Sequence, residues 1–211
     1  MSDIQVDVQS APVNPPNGSG IIYGDTNGYI CFKNSNAIFG TYQRAQVPAP
    51  QASAQAPAAA TRTYITGSNI PISSNKMQSN TCFKWKIGLS KTGAGAGTSV
   101  FDIAVGTNAS TADAARVSFT KPAGTAVADE GWIEIIAVMR SVGASGIMVG
   151  EFSMTHNLQT TGHLTVQQSV LTAISAGFDT TVAGLQVGLC VTSAASELFT
   201  INVMIGEGFN I

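Results

Sequence analysis

Three glycines alternate with alanine in "SKTGAGAGTSVFDIAV", Ser90 to Val105, at Gly93, Gly95 and Gly97. A glycine-rich loop can cradle a phosphate. That chemistry needs the loop to open a helix, whose free N–H groups and dipole meet the anion. Here Gly97 leads into "SVFDIAVG", an alternating strand pattern, and the nearby Lys91 precedes the glycines rather than following them. The spacing predicts a connection between strands and no phosphate site.

The remaining reactive side chains are sparse. His156 and His163 are separated by "NLQTTG", a spacing that suits opposite ends of a hairpin facing one side. A metal site needs a third or fourth ligand, and no Asp, Glu or Cys stands at close spacing, so none is assigned. Cys31, Cys82 and Cys190 are odd in number and lack C-x-x-C spacing, which excludes a disulfide framework or zinc site and leaves them as small apolar residues. No G-x-S-x-G occurs; "GASG", Gly143 to Gly146, reads as a turn. A glycosidase pair would have to come from Asp102, Glu134, Glu151, Glu197 and Glu207. Beside those acids the β-domain offers only Trp85 and Trp132 as tryptophans to line a sugar groove. The expectation is a protein without catalytic residues and without a cofactor.

The elements that would position these residues are strands. "TCFKWKIGLS" alternates, with Phe83, Trp85, Ile87 and Leu89 on one face and Lys84 and Lys86 on the other. "SVFDIAVG", "RVSF", "GWIEIIAVMRSV", "GIMVGEFSMTH", "LTVQQSVLTAI", "LQVGLCVT" and "LFTINVMIGE" follow, punctuated by Gly, Ser, Thr, Asn and Pro. About eight strands between Tyr64 and Ile211 predict an all-β antiparallel sandwich of jelly-roll type. "STADAAR" predicts one helical turn capped by Ser110 or Thr111. "WIEIIAVM" is apolar on both faces, unlike a strand with one solvated side. Its second face lies either under loops or against neighbouring subunits, and the scarcity of charge elsewhere favours the subunits.

Before this domain lie two other segments. Residues 47–63, including "VPAPQASAQAPAAATR", are rich in Ala and Pro and read as an extended linker. Residues 1–46 carry short apolar runs between turn signals, with strands predicted at Ile21–Tyr23 and Tyr29–Phe32. Such a ribbon buries too little alone. Ile21, Ile22, Tyr23, Ile30, Phe32, Ile38 and Phe39 are its candidate anchoring residues on another surface, the alternative being that the ribbon packs back on its own domain.

Composition narrows the partners. Charged residues are 10 % of the 211-residue chain and net charge is −2, against about 25 % charged in an ordinary soluble protein. No basic footprint for nucleic acid is present. No apolar run reaches the roughly 20 residues that span a bilayer, and the start has no signal-peptide pattern. The expectation is synthesis in a cytoplasm and a neutral surface suited to packing against other protein.

One further signal is a resemblance. Phe178-Asp179-Thr180-Thr181, then Val187-Gly188-Leu189-Cys190-Val191-Thr192, and earlier "FDIAVGTNASTADA" from Phe101 to Ala114, resemble elements of a trimeric, tumour-necrosis-factor-like jelly-roll domain of tailed-bacteriophage virion proteins. The likeness covers roughly residues 81–211. It implies a homotrimer on a virion, made in the host cytoplasm. The implied role is capsid decoration or a head fibre, with residues 1–46 held by a capsid or tail protein. The alternative is a tail-fibre or baseplate tip that binds a host glycan or receptor. For that reading the loop "MTHNLQTTGHL" supplies His156, Asn157, Gln159 and His163 as candidate binding residues.

Overall fold

A computed structural model describes residues 20–24, 30–34, 54–72, 77–93, 95–196 and 198–209. Among them are twelve strands and no helix. β1 (Gly20–Gly24) and β2 (Ile30–Asn34) pair antiparallel, Gly20 opposite Asn34. They cover the strands expected at Ile21–Tyr23 and Tyr29–Phe32, except Tyr29, which falls outside the described residues. Ile21, Ile22, Tyr23, Ile30 and Phe32 lie on it, whereas Ile38 and Phe39 fall outside the described residues.

The other ten strands form an antiparallel β-sandwich. One sheet has the order β10 (Gln168–Ile174), β9 (Ile147–His156), β8 (Ala128–Ser141), β5 (Cys82–Thr92), β12 (Phe199–Phe209). The other runs β3 (Arg62–Tyr64), β11 (Gln186–Thr192), β6 (Ser99–Gly106), β7 (Ala114–Lys121), with β4 (Ile70–Pro71) sharing the β11 edge with β3. The late strands return to the early ones in both layers: β12 lies beside β5 and β11 beside β6.

Period-two alternation decides which side chains meet between the sheets. Phe83, Trp85, Ile87 and Leu89 on β5 all point inward and are buried, as are Ile133, Ile135, Ala137 and Met139 on β8. Phe101, Ile103 and Val105 on β6 face them from the second sheet, with Val187, Leu189 and Val191 on β11. Each large side chain buried here contributes roughly 1.5–3 kcal/mol. Phe152 joins the layers, 5.5 Å from Phe101 and 5.9 Å from Phe119 between ring centres. The close approach of Phe119 is admitted by Gly150, where a Cβ would lie 2.8 Å from the ring.

Residues 54–63 are part of this body. Gln55 exchanges both main-chain bonds with Ile201, at 2.9 and 2.7 Å, and the Ala60 amide donates to the Ser193 carbonyl at 3.0 Å. Arg62 and Thr63, assigned to the linker from composition, are the first residues of β3. Between β3 and β4 the edge kinks. There Ser68 Oγ accepts the Leu189 amide at 2.9 Å, and the Ser68 carbonyl accepts the buried Trp85 indole at 2.8 Å.

The helical turn expected at "STADAAR" is instead a tight turn feeding β7. Its Ser110 hydroxyl accepts the Ala112 amide at 3.2 Å, while Asp113 binds back to the Asn108 and Ser110 amides. A local carboxylate that satisfies these amides removes the need for further helical turns. "LTVQQSVLTAI" forms a strand only from Gln168 onward.

Candidate functional site

The loops at one end of the sandwich converge on a buried polar knot. Lys91 lies at the end of β5, Lys121 ends β7, Asp129 opens β8, His156 ends β9, and His163 sits in the loop between β9 and β10. Asp129 lies directly opposite Lys91 in the ladder. Its carboxylate accepts the His163 amide at 2.9 Å, the Glu130 amide at 2.9 Å and the Leu158 amide at 3.3 Å, and it contacts His156 Nδ1 at 2.7 Å. His156 Nε2 stands 2.7 Å from the Val166 carbonyl. Both His156 partners accept, so each ring nitrogen must donate for both contacts to be hydrogen bonds. Lys121 donates to the carbonyls of Pro122 and His163, at 2.8 and 2.7 Å.

Electrostatics follow from that geometry. Burial pushes the Asp129 carboxyl up, but the His163 amide, His156 and the Glu130 amide outweigh it, so its pKa lies below the ordinary range. Burial pushes His163 down to about 4; Asp129 opposes this, while Lys121 and Lys91 add to it. The ring nitrogens of His163 have no hydrogen-bond partner among the described residues. Of the four loop residues singled out by sequence, His156 and His163 therefore have buried rings, because Asp129 and the core end claim them. Asn157 and Gln159 are exposed. The knot fixes the shape of the loop.

Two of the candidate carboxylates are held in ion pairs. Asp102 is held by Arg62 and Glu134 by Lys84, with nitrogen–oxygen distances of 2.6 and 2.8 Å. Glu197 falls outside the described residues. Burial raises the Cys82 thiol, and burial together with Asp102 pushes Cys190 up to about 12, so both are kept protonated rather than nucleophilic at neutral pH. No group of three His, Cys, Asp or Glu among the described residues is arranged to hold a metal. No described helix is long and apolar enough to cross a membrane. The glycine loop runs from β5 to β6, with no described helix for a phosphate to meet.

Two of the three motifs that carried the resemblance come together at one cleft of about 290 Å³, lined by Gly106, Asn108 and Asp113 on one side and Phe178 and Asp179 on the other. Arg116 lies over the Phe178 ring, 5.1 Å from its centre. Asp179 is held below its ordinary pKa by the Thr181 hydroxyl and amide. Thr180 Oγ1 accepts the Gly143 amide at 2.7 Å, tying that segment to the β8–β9 turn. These motif residues shape loops.

What remains open is the outer face of the five-stranded sheet. Four rows cross it, set by the ladder. The first is Gln168, Thr155, Trp132, Gly88 and Val203, beside the loop end. The second, Val170, Ser153, Glu134, Lys86 and Ile205, and the third, Thr172, Glu151, Ile136, Lys84 and Glu207, mix charge with apolar groups. The fourth is apolar throughout: Ile174, Val149, Val138, Cys82 and Phe209. Ile174 is 56 % exposed and Val149 39 %. The second sheet differs, because outward positions Asp102, Ala104 and Cys190 are buried. Two shallow grooves flank Trp132, of about 270 and 320 Å³. Sequence reasoning places Trp85 on the apolar face of its strand, opposite Lys84 and Lys86, but does not say which face of its own strand Trp132 takes. The two-faced pattern around Trp132 is the available signal.

No protein family matches the sequence, and no curated protein matches it. Among solved structures, the chain is similar to a β-fructofuranosidase from Schwanniomyces occidentalis complexed with fructosyl-erythritol. That match has 9 % identity and a TM-score of 0.25 over 87 % of this chain and 36 % of that one. A fructofuranosidase variant from the same organism, complexed with fructosylnystose, gives 8 % identity and a TM-score of 0.25 over 90 % and 38 %. The chain spans little more than a third of either, and likeness at this level carries no argument about fold or activity.

Proposed function

We propose that this chain is a non-enzymatic structural subunit of a bacteriophage virion: a homotrimeric capsid-surface appendage, anchored by residues 1–46 and presenting the sandwich outward. The observation that carries the reading is the bare apolar row Ile174, Val149, Val138 and Phe209 on one sheet, where the other sheet buries its outward positions Asp102, Ala104 and Cys190. An exposed apolar stripe of this kind is ordinarily an interaction surface. The low charge of the whole chain and its β1–β2 ribbon support the reading further. A receptor- or glycan-binding tip is the second reading, favoured by the exposed Trp132 beside the loop.

Light scattering on the full chain tests the proposal, with Val149→Asp as the variant. A trimer that falls to monomer in the variant is the expected result. A monomeric wild-type chain removes the main support. Loss of the protein from particles when residues 1–46 are deleted would carry the anchoring half.

A further inference from the structure

We propose that the face of β8 around Trp132 binds a saccharide, with the indole as the stacking platform for one sugar ring and the grooves on either side taking its neighbours. This goes beyond the appendage reading and does not depend on the oligomer, since the two charged rows separate Trp132 from the apolar row.

The argument begins with exposure. The chain buries Trp85 completely and leaves Trp132 46 % exposed. The ring is nevertheless held. Gly88 stands opposite it in the ladder, and a Cβ there would lie 3.2 Å from the indole, so the ring leans across β5 where no side chain intervenes. Lys86 Nζ is 5.3 Å from the ring centre. An indole fixed on a rigid strand loses little entropy when it is covered.

The surroundings select the ligand class. One groove presents Glu130, Asn157 and Asn202 beside the ring; the other presents Lys86, Glu134 and Ser153. A sugar offers an apolar C–H face to stack and a rim of hydroxyls that donate and accept, which this mixture of carboxylate, amide and hydroxyl matches. Nucleobases also stack, but their phosphates need a cationic track. Here Lys86 is outnumbered by Glu130 and Glu134. A protein partner would have to desolvate those same charges. Volumes near 300 Å³ sit at the small end of ligand sites, fitting one or two rings on each side.

With only two tryptophans, one of them buried, intrinsic fluorescence reports the site directly. The full chain would be titrated with maltotriose, cellotriose and chitotriose, and then applied to a glycan array. A saturable emission change with at least one oligosaccharide is expected, with affinity falling at least tenfold in Trp132→Ala. No saturable response to any glycan in either format overturns the proposal, as does binding unchanged by the substitution. Should Trp132→Ala fail to fold, Asn157→Ala and Asn202→Ala decide, and unchanged affinity in both overturns it. If Trp132→Ala instead dissociates the oligomer, the ring belongs to a subunit contact. The saccharide site then falls while the appendage reading stands. A wild-type chain that binds sugar as a monomer does the opposite, keeping the saccharide site and removing the appendage reading.

Discussion

Arg62 grips Asp102 across an intervening strand. Its Nη2 and Nε lie 2.6 and 2.9 Å from the two carboxylate oxygens, while Nη1 donates to the carbonyls of Thr111 and Asp113 at 2.7 and 2.9 Å. Arg62 is on β3 and Asp102 on β6, with β11 between them. One side chain thus ties the entering segment, the sheet and the 107–113 loop together. Paired forks of this type are among the stronger polar contacts in proteins. Asp102→Ala should lower stability by about 2 kcal/mol, below the usual cost for a fully buried pair because Arg62 is partly exposed and keeps its two carbonyls. Asp102→Asn should cost less. Urea midpoints measure both, and a midpoint unchanged in Asp102→Ala would mean the pair is not formed.

The same contact sets where a truncated chain can begin. A chain starting at residue 54 retains Gln55, Ala60 and all of β3, and should fold. A chain starting at residue 65 loses β3 and uncovers the β11 edge beside Cys190. It should aggregate or unfold at lower denaturant, with Cys190 becoming reactive to a thiol reagent in the native state. Equal stability for the two would show that β3 adds nothing to the sandwich.

Acid should loosen the loop end. His163 titrates near 4 in the folded chain against an ordinary 6.5, so the unfolded state binds more protons between these values. Stability therefore falls as pH drops through that window, by at most about 3 kcal/mol. Asp129 acts in the same direction lower down. Its carboxylate stabilises the fold above its ordinary value of 3.8, and that contribution is lost as pH falls toward its depressed folded value. His163→Leu should flatten the curve between pH 6.5 and 4. At pH 7 it should match the parent or exceed it by up to about 1 kcal/mol, since it removes two buried nitrogens without partners among the described residues. A variant much weaker at pH 7 would show that those nitrogens are bonded.

Gly162 should not tolerate a side chain. Its φ is +93°, and a Cβ would collide with the Asp129 carboxylate. Gly162→Ala should cost more than about 1–2 kcal/mol from backbone strain alone. Hydrogen exchange should rise at residues 157–167 before it rises at β5. Protection that is unchanged in the loop would contradict the knot as its organiser.

Much of the sandwich was legible because strand alternation is a local property. Phe83 to Leu89 declared their buried face, and the glycine loop was read as a connection because a strand followed it. The two-faced character of β8 was also visible. What escaped depended on distance along the chain. Asp129 and His156 are 27 residues apart, and nothing in either neighbourhood announces the other. Lys91 and Lys121 look like ordinary strand-end lysines until the loops close over them. Arg62 looked like the end of a linker, although it is the single charged residue in an Ala/Pro stretch, and that isolation was the available clue. "STADAAR" misled because a cap residue near alanines favours a helix only when no carboxylate satisfies the same amides first.

The kink at Ser68 bears on how copies of the chain can combine. An uninterrupted edge strand invites another chain to add to it, and addition without closure grows into a fibre. The β3–β4 edge breaks after three residues. β12 shifts register between Ile201 and Val203 and is met there by Gln55, and the β6–β7 pair shifts at Ile103. Three of the four borders are therefore poor templates for growth, while one broad face is left open. In the proposed oligomer, a molecule bounded in this way would meet its copies face on, and such a group can reach a finite number and stop.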